Sequence, residues 1–172
     1  MTGQVARPLE TRPATPADAG AIAKIYNQGI EDRAATFETE PRTAEQVREH
    51  LEGMESQVAV VAVQAGEVVG FAWTSAYRAR PCYSGVGEFS VYVARDARHS
   101  GIGRALLTRL LADCEARGFW KLVSRVFPEN TASRLLCRSL GFREVGIYQR
   151  HGRLDGVWRD CVIVERLLPL PS

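Results

Sequence analysis

Glu88-Phe-Ser-Val-Tyr-Val93, the charged turn Ala94-Arg-Asp-Ala97, then Arg98-His-Ser-Gly101-Ile-Gly103-Arg104 and Ala105-Leu-Leu-Thr-Arg-Leu-Leu-Ala112 decide how this 172-residue chain is read. The first run reads as a strand, the last as an amphipathic helix, and a glycine-broken turn opens that helix. The leading amides of a helix have no intrahelical partner, and the positive end of its dipole lies beside them. Such a turn therefore gathers an anion, here a phosphate. Gly101 and Gly103 have no β-carbon to hold ligand oxygens away from the main chain, and Arg98 and Arg104 add permanent charge.

The charge balance keeps that phosphate site local. Lys plus Arg number 22 against 20 Asp plus Glu, a formal net charge of +2, too even for a chain that lives on nucleic acid or an anionic membrane. No nucleic-acid or membrane partner is expected, and no apolar stretch nears the roughly 20 residues that span a bilayer. The length suits one domain over 1–172, with a structured core over about 8–168 and loose ends through Pro8 and after Pro169. Cys82, Cys114, Cys137 and Cys161 form no CxxC pair, and no apolar N-terminal segment resembles a secretion signal. Reduced thiols in a cytoplasm are expected. No His, Cys or acidic cluster has metal-ligand spacing, so no metal is expected.

Outward from the turn the elements alternate. Leu9–Ala14 reads as a strand, and Thr15-Pro-Ala-Asp18 starts a helix whose inward stripe is Ile22, Ile25, Tyr26 and Gly29. Thr43-Ala-Glu-Gln46 is a second capping box, followed by Val47, Leu51 and Met54 at helical spacing. Val58–Gln64 and Val68–Thr74 read as a hairpin across Ala65-Gly66-Glu67. After Glu88–Val93 come a helix over 103–117, a strand Lys121–Val126, a helix from Asn130 to Leu140, and strands Arg143–Tyr148 and Trp158–Leu167. The class is α+β with a mixed, mostly antiparallel sheet flanked by helices.

Three ligand classes use glycine-rich turns. A Walker A loop needs GxxxxGK and Ser or Thr, which this chain lacks. A dinucleotide fold needs its glycines directly after a strand and an acidic residue about 20 positions on. Here a charged turn intervenes and position 121 is Lys. Arg98-x-x-Gly101-x-Gly103 after a strand resembles the acyl-coenzyme A pyrophosphate loop of the GCN5-related N-acetyltransferase superfamily. Asn130-x-x-Ser133 at a helix start, with Cys137 and Leu140-Gly141-Phe142 at its end, is similar to that superfamily's second cofactor element. The resemblance implies a sheet splayed between its fourth and fifth strands to admit the pantetheine arm of acetyl-coenzyme A.

Within the superfamily the chain resembles the phosphinothricin and arsinothricin N-acetyltransferases. The blocks that carry this are Ile25–Glu31, Thr36–Pro41, Tyr77-Arg-x-Arg80 with Tyr83, Glu88–Val93 and Gly156-x-Trp158-x-Asp160. Gly118–Asn130 and Trp158–Arg166 look more like the arsinothricin branch. The resemblance implies acetylation of the α-amino group of a small anionic amino-acid antibiotic, in a ternary complex, by a homodimer built partly through the late strands.

An ammonium has no lone pair, so acetyl transfer needs a proton acceptor, and Glu88 matches the family's strand-start glutamate as general base. Its plainer role is a solvated or ion-paired strand carboxylate. The resemblance gives the cofactor to the backbone of Val91, Tyr92 and Val93, to the loop Arg98, His99, Ser100, Gly101, Ile102, Gly103 and Arg104, and to Asn130 and Ser133. Asn130 also suits a helix N-cap. Many relatives carry a tyrosine where this chain has Cys137. The thiol is a weaker candidate acid, and as a nucleophile it competes with a plain core role. Phe37, Arg78, Arg80 and Tyr83 are the substrate candidates, guanidinium forks suiting carboxylate and phosphinate or arsinate oxygens, against surface and core roles. Two arginines there argue against a polyamine, while methionine sulfoximine or sulfone, or a non-catalytic acyl-coenzyme A module, are the other readings. His50 is expected to be exposed, and His151 to lie in a late turn Arg150-His-Gly-Arg153 beside the segment that pairs subunits, with Tyr148 and Trp158 on that surface or in the core.

Overall fold

The computed structural model describes residues 8–170 and 172; the expectation of a loose start lies outside the described residues at positions 1–7. Strands β1 (Leu9–Pro13), β2 (Ala59–Gln64), β3 (Glu67–Ala76), β4 (Val86–Val93), β5 (Lys121–Val126), β6 (Arg143–Leu154) and β7 (Val157–Leu167) form one sheet in the order β1-β2-β3-β4-β5-β7-β6. Helices α1 (Ala19–Glu31) and α2 (Ala44–Glu52) precede β2, α3 (Ile102–Ala116) links β4 to β5, and α4 (Thr131–Ser139) links β5 to β6. No helix among the described residues is long and apolar enough to cross a membrane.

Capping chemistry fixes the helix starts. The Thr15 N–H donates to the Asp18 carboxylate at 2.8 Å, and Arg12 grips the same group at 2.8 and 2.9 Å, holding Asp18 below the usual carboxylate range. Thr43 and Gln46 exchange bonds of 2.9 and 3.1 Å at the head of α2. Period-two alternation in β2 sends Val60 and Ala62 to one face and Val61 to the other. On the first face they join Phe89, Leu106, Leu110 and Leu122 under α3 and α4. On the second, Val61 joins Phe71, Trp73, Ile22, Ile25 and Val47 under α1 and α2.

Every neighbouring pair is antiparallel except β4 and β5. That parallel pair has just three registers, Val86 with Lys121, Gly87 with Leu122 and Glu88 with Val123, and then the strands part. The splay expected between strands four and five is this parting.

The late hairpin differs from the sequence expectation. β6 does not stop at Tyr148, and Arg150–Arg153 is strand rather than turn. Arg150 takes a positive φ of 47°, and the register shifts between Tyr148 and Gly152, so the strand bulges and continues. The turn is Asp155-Gly156, with φ of 49° and 79°, the pair of positive values that a two-residue hairpin demands.

Candidate active site

The phosphate loop and the splay adjoin. Gly101 has φ 82° with open space where a β-carbon would be, so its glycine serves the left-handed turn itself. The first helical bond of α3 runs from the Ala105 N–H to the Gly101 carbonyl, at 3.1 Å. The amides of Ile102, Gly103 and Arg104 precede it and face the loop. A β-carbon on Gly103 would come within 3.3 Å of Leu136, so this glycine lets α4 approach α3. Arg98 is held in place by two bonds, to the Val93 carbonyl at 3.2 Å and to Asp32 at 2.6 Å. Arg104 reaches Ser139 Oγ at 2.8 Å.

Beyond Glu88 the edge of β4 that faces β5 has no strand partner. A cavity of about 70 Å³ occupies the gap, lined by Phe89 to Tyr92, Ser124, Asn130, Ser133 and Cys137 among others. On that edge the Phe89 carbonyl accepts from Ser124 Oγ at 2.9 Å, and the Val93 carbonyl accepts from Arg98. Alternation places both backbone groups of Val91 on the same edge between them, open to the gap. Asn130 caps α4 by accepting from the Ser133 N–H at 3.2 Å, and its amide also lies 3.5 Å from the Ala34 carbonyl. A narrow gap edged by backbone amides and ending at a helix N-terminus fits an amide-bearing arm with a pyrophosphate at its end.

On the α1 and α2 face two larger cavities meet. One, of about 360 Å³, is lined by Tyr26, Phe37, Arg42, His50 and Trp73. The other, of about 470 Å³, is lined by Tyr77, Arg78, Tyr83, Tyr148 and His151. Both share Glu88, Ser124 and Arg125, and Ser124 and Arg125 also line the gap between β4 and β5. Glu88 is bound by Arg125, whose Nε lies 2.8 Å from Oε1, and the third nitrogen of Arg125 is 3.5 Å from His151 Nε2.

The four substrate candidates are thus split. Phe37 walls the first cavity, edge-on to Phe127 at 5.0 Å, while Arg78 and Tyr83 line the second. Arg80 is exposed and lines neither of them. Cys137, on the inner face of α4, is buried in the core, and burial pushes its thiol up to about 11. Tyr92 turns away from the gap to pack on Tyr26 at 5.0 Å, its hydroxyl pushed up to about 12 by burial, so its contribution to the gap is its backbone.

Arg42, His50, Ser124 and Arg125 are among the lining residues that the sequence reading did not offer as site candidates. Arg42 bonds Glu38 at 2.6 and 3.2 Å and covers the Tyr26 ring at 4.8 Å. His50 is half-buried rather than exposed, because i,i+3 spacing puts it on the same side of α2 as the buried Val47. Its ring packs 4.6 Å from Trp73, and its Nε2 is buried without a hydrogen-bond partner. Burial and the nearby Arg42 push its titration down. The signal that could have found it was the stripe begun by Val47.

Comparison with known proteins agrees with this geometry. Residues 24–142 match the family model described as Acetyltransferase (GNAT) family. The phosphinothricin N-acetyltransferase of Streptomyces viridochromogenes is 35% identical over 167 residues, 96% of this chain and 91% of that protein. The L-methionine sulfoximine/L-methionine sulfone acetyltransferase of Pseudomonas paraeruginosa is 31% identical, over 90% of this chain and 91% of its own. Among solved structures, a phosphinothricin acetyltransferase from Sinorhizobium meliloti in complex with acetyl-coenzyme A superposes with a TM-score of 0.86 and 32% identity. That match covers 93% of this chain and 88% of that one. With its splayed sheet, its helix-opening phosphate loop and these matches along most of its length, the chain belongs to the GNAT family of acetyltransferases.

Proposed function

We propose that this N-acetyltransferase moves the acetyl group of acetyl-coenzyme A directly onto the α-amino group of a small anionic amino-acid antibiotic, phosphinothricin or arsinothricin, and so disarms it. One observation carries the reading: Glu88 stands where the gap between β4 and β5 opens into both cavities of the opposite face.

Acetyl-coenzyme A supplies an acetyl group activated as a thioester. The α3 amides and Arg104 hold its pyrophosphate, with Arg98, His99 and Ser100 shaping the loop, and Val91 offers its N–H and carbonyl to the arm. Asn130 and Ser133 border the arm at the head of α4. Glu88 takes the proton that the acceptor ammonium must lose before its nitrogen attacks the acetyl carbon. The new C–N bond replaces the C–S bond, the sulfur leaves with the electron pair, and the second nitrogen proton passes to it through solvent. No side chain is assigned as acid, since burial raises the Cys137 thiol to about 11 and leaves it a poor proton donor. Phe37 walls the acceptor site, Arg78 and Tyr83 receive its side-chain anion, and Arg80 stands in the same loop outside the cavities.

Thiol-release kinetics test this with acetyl-coenzyme A against arsinothricin, phosphinothricin, methionine sulfoximine, glutamate and spermidine. Turnover of either antibiotic, with intersecting double-reciprocal lines, supports direct transfer. Turnover of spermidine alone refutes the acceptor, and parallel lines refute the ternary complex. The Pseudomonas relative favours methionine sulfoximine as the second acceptor.

The hairpin of β6 and β7 leaves Ile147, Tyr148, Val157 and Trp158 between 52 and 61% exposed, an apolar surface suited to a second copy. A homodimer in the cytoplasm, with the four free thiols reduced, completes the reading. Sedimentation as a monomer at micromolar concentration would refute the dimer.

A further inference from the structure

Arg125 is the one side chain besides Ser124 and Glu88 that borders both large cavities, and it stands two residues past the last β4–β5 register, on the face shared by Glu88 and Val123. The neighbouring cations are otherwise engaged. Arg42 is clamped by Glu38 and stacked on Tyr26, Lys121 is paired with Glu165, and Arg78, over the Tyr77 ring, is given above to the acceptor's side-chain anion. Among the described residues the carboxylate paired with Arg125 is Glu88 itself, and the arginine side chain is still 49% exposed.

Resting on the acetyl-transfer reading above, we infer that the Glu88–Arg125 pair is the receptor for the acceptor's zwitterionic head, with Arg125 binding the α-carboxylate. An α-amino acid carries its ammonium and carboxylate on one carbon, so the groups that receive them must themselves be neighbours. Glu88 and Arg125 are neighbours of opposite sign, 2.8 Å apart. On binding, one ion pair is exchanged for two: the ammonium turns to Glu88 and the carboxylate to Arg125. Neither the head nor the empty pair carries net charge, so the exchange brings no unbalanced charge into the cleft. An amine without the adjacent carboxylate draws Glu88 away and leaves Arg125 without an anion, which costs binding. The pair therefore selects α-amino acids over other amines, whatever side chain the cavities accept.

The test compares phosphinothricin with the same molecule carrying an α-carboxamide, by thiol release and by calorimetric binding in the presence of coenzyme A. The wild-type enzyme is expected to prefer the carboxylate by about 10- to 150-fold, the worth of hydrogen bonds between charged groups. In Arg125→Gln the preference falls to near unity in both measurements, while KM for acetyl-coenzyme A is unchanged. Arg125→Ala, which adds no bulk, gives the same collapse. A variant that slows both acceptors equally and keeps the wild-type preference overturns the inference and leaves acetyl transfer standing. A wild-type enzyme that releases thiol with no α-amino acid overturns both.

Discussion

Replacing Glu88 by Gln keeps the side chain's size and removes its capacity to take a proton. The structural cost is small. Glu88 is 23% exposed and Arg125 49%, and an ion pair so open to water contributes about 0–1 kcal/mol. For a domain of this size, Tm then falls by no more than about 2–4 °C. The catalytic cost is large, because Glu88 is the carboxylate common to both large cavities at the mouth of the β4–β5 gap. Loss of a positioned general base lowers kcat by about 10²–10⁴, which is about 3–5 kcal/mol of barrier. KM for acetyl-coenzyme A should hold, since the gap is edged by backbone that the substitution leaves alone. Stopped-time thiol release with saturating acceptor, beside a melting curve on the same preparation, separates the two costs. A kcat within about tenfold of wild type would remove Glu88 from the proton transfer.

Substitutions at three further residues probe the site's supports. Asn130→Ala removes the cap on the Ser133 N–H and should lower stability by about 1 kcal/mol, while Asn130→Asp restores it; equal melting of all three proteins would deny the cap. Cys137→Ala should keep wild-type turnover, and intact mass spectrometry should find no acetylated thiol in the native enzyme, because the buried group stays protonated with its pKa at about 11. His50 titrates below its unfolded value, so the unfolded chain takes up the proton first, and stability falls as pH drops through and below about 6.5. His50→Leu lacks that loss, and its melting advantage over wild type should grow between about pH 7.5 and pH 5; parallel curves would contradict the assignment.

What could be read from the chain was local chemistry. Capping boxes at Thr15 and Thr43 announced two helices because each is complete within four residues, and the turn at Gly101 announced α3 because a left-handed residue there leaves few alternatives. Glu88 was singled out as the strand-start glutamate of the family likeness, and the structure puts it at the mouth of the gap. Arg125 was not: within β5 it looks like any outward strand residue, and its meaning depends on β5 lying beside β4 and then parting from it. The same holds for His50 and Trp73, which meet only because α2 folds back over β3. The length of β6 escaped for a different reason. A bulge at Arg150 breaks the alternation that marks a strand without breaking the strand.

The parting of β4 and β5 after three registers also bears on how the protein survives without its partner molecule. A sheet whose central seam opens has, in effect, an edge on the inside, and Val91 shows it a free donor and acceptor. On the proposed reading the pantetheine arm, itself a chain of amides, takes the place of the missing stretch of strand, in the way an extended peptide joins a sheet edge. Binding then completes the fold's own hydrogen-bond ladder as well as loading a substrate. At a concentration about 100 times its dissociation constant, such a ligand adds about 2.7 kcal/mol to the folded state. Resistance to unfolding and proteolysis is thereby tied to the supply of acetyl-coenzyme A, so that the enzyme lasts longest where its donor is plentiful.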